Sequence, residues 1–508
     1  MQTITRTIFP FFRSTAFLAV AATWCAGGGS CGSAVTAAPE ATLDPSKGDA
    51  SAADSATSSK GDASAADSAT SSLDSGDSGT PITQDGCIRQ GAIASGTVVR
   101  VGPTRAIRTI NEVQAQLKPG DRVEVDGNAT YPSLTLVAAG TAEAPIVFVG
   151  IAVNGKLPVL SGGDDTLYFN GSHHVVFQGF EITQGVQVCV LHQAHDVALC
   201  QTVVHDCARH GILGADYDSG SLLLDRIEVH HTGGEPAGEN LKHPVYIATD
   251  PVAYPDGVFR IQHSYLHDNN GGNAIKSRAL RTEIYFNWIE TGPSMLYSAE
   301  LIGFEEFTSP RQDSDVVGNV LIHQNQYGLR FGGDGTGASK GRVRFANNLV
   351  VVSGSGYDAN TPVLRFFSDI DALEAVNNVF YRVGGGPLRV IRDDATWVRG
   401  QQTLAGTRNW VPQGSTEVPA SWTATVFGTS PGFANLSSVS AFDLTVRSDA
   451  AIARAGVALS AGTSGFEIAN PLRVLSQQPP AVRPSTFLST PELRAIESTP
   501  TLGPRSAP

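Results

Sequence analysis

The stretches TEIYFNWIE (282–290), DVVGNVLIHQ (315–324), VRFANNLVVV (343–352) and LEAVNNVFYR (373–382) share one pattern, and this pattern decides the fold. In each stretch apolar residues alternate with other residues, an Asn follows, and a second short apolar run leads into a turn. Alternation with a period of two is typical of strands, whereas an amphipathic helix needs a period of 3.6 residues. The four stretches therefore predict pairs of short strands that bend at an Asn.

The same pattern recurs earlier in the chain, and these copies extend the repeat towards the N-terminus. They are VVFQGFEIT (175–183), VALCQTVVHD (197–206), LLLDRIEVHH (222–231) and VFRIQHSYLHD (258–268). The apolar residues before successive turns, which lie 22 to 37 residues apart, are Ile182, Val204, Val229, Leu266, Ile289, Ile322, Val350 and Phe380. Repeats of this length indicate a solenoid, in which each unit packs against its neighbours. Because the period is two and no leucine comb is present, the sequence predicts an all-β, right-handed parallel β-helix.

The segments around the repeats predict the domain organisation. In RAIRTINEVQAQL (105–117) the apolar residues fall on one helical face, so this segment is predicted to be a helix that caps the N-terminal end of the β-helix. The β-helix domain is expected to span 87–468, with irregular final rungs over 399–468. Residues 469–508 contain eight Pro and little periodicity, which predicts a loose tail.

The first 86 residues are predicted to be an export signal and a linker. Residues 1–33 combine a basic start with an apolar run too short to span a membrane, as secretory signals do. A lipid-modified cysteine at Cys25 or Cys31 is one interpretation, and cleavage near Ala37 is the other. Residues 34–86 contain SKGDASAADSATS twice in tandem, at 46–58 and 59–71. This composition has little to bury and predicts a disordered tether.

The charge and cysteine content restrict the function classes. The net charge is −13, which argues against a nucleic-acid binder, and no apolar run is long enough for a transmembrane segment. Together with the predicted export signal, these features lead us to expect an exported monomer that is extracellular or attached to the cell envelope. Cys87, Cys189, Cys200 and Cys207 would remain after processing, and three disulfide pairings are open to them.

A second set of short strands lies between the repeats, and its outward residues are the candidate site. These strands are HGILGAD (210–216), HPVYIATD (243–250), NAIKSRA (273–279), YSAELIGF (297–304), YGLRFGG (327–333), PVLRFFS (362–368) and PLRVIR (387–392). If Leu213, Ile247, Ile275, Leu329, Leu364 and Leu388 point inward, then alternation points Asp216, Asp250, Lys276, Arg278, Glu300, Arg330, Arg365 and Arg389 outward. A row of bases on an acidic chain suits an anionic polysaccharide lying across the rungs, with Arg365, Arg389 and His243 as candidate substrate-binding residues.

Lys276 and Arg278 are the candidates for chemistry, because residues two apart on a strand project side by side. A neighbouring cation lowers the pKa of a lysine, and a lysine so tuned can take a proton near neutral pH. Beside a uronic acid the proton would come from C5, and the substrate carboxylate would need arginines or a hard cation as partner. Asp216 and Asp250 are candidate ligands for such a cation, calcium for example.

Several of these features resemble a known superfamily. The helical segment, the turn at 119–121, the strand APIVFVG (144–150) and the Asn-bearing repeats together resemble secreted bacterial parallel β-helix proteins of the pectate-lyase-like superfamily. Ile275-Lys276-Ser277 followed by IYFNWI (284–289) looks like the strand of the catalytic lysine in the chondroitinase B and alginate lyase group. The resemblance implies β-elimination on a uronate polymer, with Lys276 as base, an Arg on the next rung as acid, and calcium on the uronate. Here the next rung offers Glu300, and Arg330 lies one rung later.

Two other function classes remain open from the sequence. A non-catalytic β-helix could use the same bases to bind a polysaccharide or a partner. A glycoside hydrolase would need clustered carboxylates, for which Asp216, Asp250 and Glu300 are the candidates. His205, His230 and His267 are expected to stack as a structural column, and Asn287, Asn319, Asn348 and Asn378 to form a side-chain ladder.

Overall fold

A computed structural model describes residues 96–234, 241–303, 312–324, 328–332, 341–354, 361–366, 370–393, 403–457 and 459. The predicted signal, linker and Pro-rich tail, together with Cys25, Cys31 and Cys87, lie outside these residues. No helix in the described ranges is long and apolar enough to cross a membrane.

The described chain is a coil of rungs with three strands each, and equivalent strands of successive rungs pair in parallel. The front sheet consists of Leu134–Leu136, the first halves of Asp165–Gln178 and Val188–Cys200, His210–Gly214, Val245–Ala248, Ile275–Arg278, Ala299–Leu301, Leu329–Phe331, Pro362–Phe366 and Arg389–Asp393. The middle sheet consists of Val98–Val101, Arg122–Asp126, Ile146–Ile151, the second halves of the two long strands, Leu222–Asp225, Val258–Gln262, Arg281–Tyr285, Asp313–Val317, Arg342–Ala346, Ala372–Val376, Thr403–Thr407 and Trp422–Thr423. The back sheet consists of Thr130–Pro132, Val159–Ser161, Glu181–Thr183, Val203–His205, Glu228–His230, Tyr265–His267, Trp288–Thr291, Val320–His323, Leu349–Val352, Val379–Arg382, Trp410–Pro412 and Val426–Gly428. This is the right-handed parallel β-helix that the sequence predicted.

The interior of the coil is filled by apolar side chains that stack from rung to rung. Phe331 and Phe366, paired between neighbouring front strands, stack with ring centroids 5.0 Å apart. The ring centroid of Phe345 lies 6.3 Å from that of Phe380 on the facing back sheet. Burial of each such ring contributes about 1.5–3 kcal/mol to the free energy of unfolding. The interior is therefore a continuous stack that fixes the register of the outward side chains.

The turn between the middle and back sheets has the same backbone form on successive rungs. Its first residue has a positive φ, as at Arg226, His263, Phe286, Gly318 and Asn347. At Gly318 a Cβ would come within 2.4 Å of the Phe286 ring, so this position needs glycine for space as well as for conformation.

The second residue of this turn forms the predicted Asn ladder. The Asn287 side-chain amide donates to Asn319 Oδ1 at 3.0 Å, and Asn319 donates in the same way to Asn348. Asn348 donates to Asn378 at 3.0 Å, and Asn378 continues the ladder to Asn409 at 2.9 Å. The ladder is thus confirmed and is one rung longer than the sequence predicted.

Replacing Asn348 by Leu should lower the free energy of unfolding by about 2–4 kcal/mol. The Asn348 amide donates to Val316 O, and its Oδ1 accepts the backbone and side-chain N–H groups of Asn319, so Leu would leave buried groups without partners. The urea midpoint of Asn348→Leu measures the loss, with the exposed Asn170→Ala as control. Equal midpoints for both variants would contradict a stabilising role for the ladder.

The predicted capping helix is wrong in type. The segment contains two 3-10 turns, Ile110–Glu112 and Gln114–Gln116, instead of one α-helix. The apolar residues 107, 110 and 113 are three apart, which matches the 3.0 residues per turn of a 3-10 helix. Gln114 still ties the segment to the first rungs, because its side chain bonds to Thr135 O and to the Val137 N–H.

The end of the described chain does not continue the coil, contrary to the prediction of irregular rungs to 468. After the strand Val426–Gly428, the antiparallel pair Phe433–Asn435 and Asp443–Val446, with a 3-10 turn at Val439–Ala441, packs on the outer face of the back sheet. Val320, Ile322, Leu349 and Val351 are buried there. The back sheet is therefore covered on both sides at its C-terminal end.

This covering explains a register error in the sequence prediction. Ile289 pairs with Leu321 and not with Ile322, and Leu321 pairs with Val350. Because both faces of this strand are buried, its apolar residues no longer alternate and the pattern cannot distinguish 321 from 322.

The predicted histidine column is confirmed. His205 and His230 stack at 5.0 Å, and His230 and His267 stack at 5.2 Å. Although burial opposes it, hydrogen bonds to Glu181 and Asp206 raise the pKa of His205, whereas burial lowers the pKa of His230 to about 4.

The structure also shows one disulfide bond among the cysteines whose pairing the sequence left open. Cys189 is bonded to Cys207.

His323 is a buried histidine that should make the fold sensitive to acid. It is fully buried, neither ring nitrogen has a hydrogen-bond partner among the described residues, and burial lowers its pKa to about 3 from 6.5. Between these values the unfolded chain binds the proton and the folded chain does not, so stability falls as the pH falls from 6.5 towards 3.

His323→Leu should remove this sensitivity because Leu does not titrate and leaves no polar atom unsatisfied. The melting temperature of the variant should exceed that of the wild type, and the difference should grow at lower pH. A difference that stays the same at pH 7 and at pH 4 would contradict the assignment.

Candidate active site

The outward side chains of the front sheet form one column along the coil. Its register, from N-terminal to C-terminal rungs, is Leu191, Leu213, Tyr246, Lys276, Glu300, Arg330, Arg365 and Arg392. Successive rungs lie about 4.8 Å apart, so the side chains from Tyr246 to Arg392 form a continuous polar strip. Lys276, Glu300, Arg330 and Arg365 therefore lie where the alternation predicted.

The predicted column is misplaced at both of its ends. Arg389 pairs with Pro362 and forms an ion pair with Glu417 at 3.8 Å, while Arg392 takes the position beside Arg365. The prediction slipped by three residues because PLRVIR offers an apolar–Arg step at both 388–389 and 391–392. At the other end Leu213 faces outward and Ile212 is the fully buried residue.

Glu300 connects the cations of the column. Its Oε2 lies 3.4 Å from Lys276 Nζ, and its Oε1 lies 3.0 Å from Arg330 Nη1. The Asn273 side-chain amide donates to the same Oε2 at 2.6 Å. Lys276 is 7% exposed and Glu300 only 2%, although both project outward from the sheet. The arrangement is thus a sheltered ion-pair network on the floor of the strip.

Tyr246 lies next to Lys276 on the preceding rung and contacts both of the residues predicted to carry chemistry. Lys276 Nζ lies 5.2 Å from the centre of the Tyr246 ring, within the range of a cation–π contact. Arg278 Nε donates to the Tyr246 hydroxyl oxygen at 2.9 Å, and its Nη1 donates to Gly303 O. Arg278 is therefore bound to Tyr246 and not aligned in the column with Arg330.

Arg330 and Arg365 share one aromatic neighbour. The Arg330 guanidinium lies 5.8 Å from the centre of the Tyr297 ring, and Arg365 Nη1 donates to the Tyr297 hydroxyl at 3.3 Å. Burial raises the pKa of Tyr297 although both arginines oppose the shift. Tyr297 thus contacts guanidinium groups from two neighbouring rungs.

His243, which the sequence analysis named as a candidate substrate-binding residue, is not exposed over the strip. It is buried, and its Nδ1 accepts the backbone N–H of Asn273 at 2.9 Å, which places the imidazole proton on Nε2. Burial, together with the charges of Lys276 and Arg278 and with His210, holds its pKa well below 6.5. His243 is therefore a neutral residue that supports the Asn273 backbone.

The structure places Asp216 and Asp250, the predicted cation ligands, outside the column. Asp216 is exposed beyond the end of its strand. Asp250 Oδ1 accepts the backbone N–H groups of Val252 and Ala253 in its own turn, and its Oδ2 accepts the backbone N–H of Asp218 from the preceding rung. Although partial burial opposes it, these bonds lower the pKa of Asp250. Among the residues described, no group of three or more His, Cys, Asp or Glu could hold a metal ion.

Sequence reasoning missed Tyr246, Asn273 and Tyr297. Tyr246 was within a quoted strand, between Val245 and Ile247, and alternation alone places it outward. Asn273 and Tyr297 stand three residues before the column positions 276 and 300, as His243 does before 246. This recurrent polar or aromatic residue three positions earlier was the signal that could have revealed them.

The solved structures to which the chain is similar have low sequence identity to it. One is a pectate lyase with 14% sequence identity and a TM-score of 0.39. The alignment covers 82% of this chain and 98% of the pectate lyase. An alginate lyase from Paenibacillus sp. str. FPU-7 is 16% identical, covering 59% and 95%, with a TM-score of 0.37. A PL6 family polysaccharide lyase from Pseudopedobacter saltans is 11% identical, covering 66% and 92%, with a TM-score of 0.39.

No family model matches the chain, and no curated protein sequence matches it. The fold therefore rests on the strand pairings of the chain itself, and activity has to be argued from the site.

Proposed function

We propose that the protein is a secreted or envelope-anchored polysaccharide lyase that cleaves a uronate-containing polymer by β-elimination on the front sheet. The observation that carries the proposal is the position of Lys276, with Tyr246 on the preceding rung and with Glu300, Arg330 and Arg365 on the rungs that follow. A base, a polar neighbour and carboxylate-binding groups are thereby present on one face.

The charge along the strip supports an anionic polymer as substrate. Lys276, Arg330, Arg365 and Arg392 lie on one line with a single carboxylate, Glu300, among them, on a chain whose net charge is −13. Polymer carboxylates spaced along these rungs would pair with the arginines, and a guanidinium binds a carboxylate through two parallel N–H bonds.

In the proposed reaction Lys276, in its neutral form, takes the C5 proton of the uronate. The carboxylate at C5 has to be neutralised so that this proton becomes acidic, and Arg330 is the nearest guanidinium of the column. Glu300 holds Lys276 and Arg330 in register through its two oxygens. Burial of these residues keeps water away and strengthens each of the charge interactions.

Calcium, which the resemblance implies on the uronate, stays a prediction: among the described residues no group of three or more His, Cys, Asp or Glu could hold it, and no step is assigned to a metal ion. The hydrolase alternative needs a pair of carboxylates across the scissile bond. Asp216 and Asp250 lie outside the column, and Glu300 is held by its three partners, so no observation favours that reaction.

The experiment is an assay of the purified chain on alginate, pectate, chondroitin and heparan-type polymers, with and without added calcium. We expect a rise in the ultraviolet absorbance of the unsaturated uronate on at least one polymer. New reducing ends without this absorbance would indicate a hydrolase. Saturable binding without any cleavage would indicate a polysaccharide-binding protein, and either result would overturn the proposal.

A further inference from the structure

The Tyr246 hydroxyl has a defined hydrogen-bond polarity beside the proposed base. Its oxygen accepts from Arg278 Nε at 2.9 Å, and a guanidinium donates only, so the phenolic proton cannot point to Arg278. Tyr246 is half-buried on the outward side of its strand, next to Lys276. The hydroxyl is therefore placed to donate its proton to a molecule that lies over the strip.

Arg278 and Arg330 are less suited than Tyr246 to protonate a leaving group. Arg278 donates to Tyr246 and to Gly303 O, and Arg330 forms an ion pair with Glu300. Guanidinium groups do not lose their proton in proteins, whereas a phenol can. Of the residues that contact Lys276 in the described chain, Tyr246 carries an O–H that can be transferred.

We infer that Tyr246 is the catalytic acid of the proposed lyase and that the elimination is syn, so that the substrate is a glucuronate- or mannuronate-type polymer. This inference rests on the proposed function and adds to it the acid, the stereochemistry and the class of sugar.

The step balances without a further reactant. The C5–H bond breaks and its proton goes to neutral Lys276, while the electron pair forms the C4–C5 double bond. The C4–O4 bond breaks, and O4 takes the proton of the Tyr246 hydroxyl. The phenolate that remains accepts from Arg278 Nε, and the Lys276 ammonium, whose nitrogen is 5.2 Å from the ring centre, returns its proton directly or through water.

The stereochemistry follows from the positions of the two groups. Lys276 and Tyr246 project from the same face of the sheet on adjacent rungs, so both approach the sugar ring from one side. The C5 hydrogen and O4 must then lie on the same side of the ring. Glucuronate and mannuronate have this arrangement, whereas galacturonate, guluronate and iduronate have the two groups on opposite sides.

The first test compares polymers of defined configuration. The wild-type chain should release unsaturated product from polymannuronate or chondroitin, and not from polyguluronate or pectate. Preferential cleavage of polyguluronate or pectate would overturn the inference while leaving the lyase proposal intact. Absence of unsaturated product from every polymer would overturn both.

The second test separates proton donation from structure. Tyr246→Phe keeps the ring beneath Lys276 and removes the hydroxyl, so kcat on the polymer should fall about 10²–10³-fold with little change in KM. The same variant should act at the wild-type rate on a synthetic uronate that bears fluoride at C4, because fluoride leaves without a proton. Equal losses on both substrates would assign Tyr246 a structural role and overturn the inference, as would wild-type activity on the polymer. Tyr381→Phe on the back sheet is the matched control.

Discussion

Replacing Lys276 by Ala should reduce formation of the unsaturated uronate at least 10²–10⁴-fold while the β-helix remains folded. The side chain is the proposed base, and no other lysine or neutral amine is registered in the column from Tyr246 to Arg365 in the described chain. Its strand neighbours Ile275 and Ser277 point inward and are unaffected, so the coil should keep its register.

The control for this prediction is a lysine outside the strip. Lys156 is exposed near the N-terminal rungs, and Lys156→Ala should leave both activity and melting temperature unchanged. The fold of Lys276→Ala is checked by its circular dichroism spectrum and its melting curve. Wild-type activity in a folded Lys276→Ala protein would remove Lys276 from the mechanism, and the strip would then be a binding surface.

The fold could be predicted from the sequence because the rungs repeat one local pattern. Alternation identified the strands, and Asn287, Asn319, Asn348 and Asn378 marked the turns at which the ladder forms. The pattern failed where both faces of a strand are buried, as at Leu321 and Ile322, because an apolar residue then satisfies either face.

The C-terminal segment could not be predicted for a different reason. Phe433, Leu444 and Val446 pack on the back sheet from outside the coil, so they follow neither the rung length nor the alternation of the repeats. Their burial depends on a surface formed by residues about a hundred positions earlier, such as Val320 and Val351.

The site was predictable as a column and not as a network. Alternation placed Lys276, Glu300, Arg330 and Arg365 outward, since it needs only the local strand. The contacts of Tyr246 with Lys276 and Arg278 depend on the register between strands about 30 residues apart in the chain. Connections of variable length between rungs hide this register, and the same variation moved the last arginine from 389 to 392.

Replacing Glu300 by Leu should lower the free energy of unfolding by about 3–5 kcal/mol, which is the largest stability effect expected in the site. Glu300 is 2% exposed and is the carboxylate paired with both Lys276 and Arg330. Without it two sheltered cations, on the rungs before and after Glu300, would lose their shared carboxylate, and the Asn273 amide would lose its acceptor. The urea midpoint measures the loss, and the exposed Glu143→Gln should stay within about 0.5 kcal/mol of the wild type.

A double variant tests whether the loss arises from the stranded cations. Adding Lys276→Met to Glu300→Leu removes one of them, so the double variant should be less destabilised than the sum of the two single variants. Simple additivity would show that Lys276 and Glu300 do not interact. If the coupling is found, Glu300 holds in the free protein the charges that a polymer carboxylate would share during the proposed reaction. The ion pairs of Glu300 would then keep Lys276 and Arg330 in register. A polymer carboxylate could bind the same two cations from above the strip.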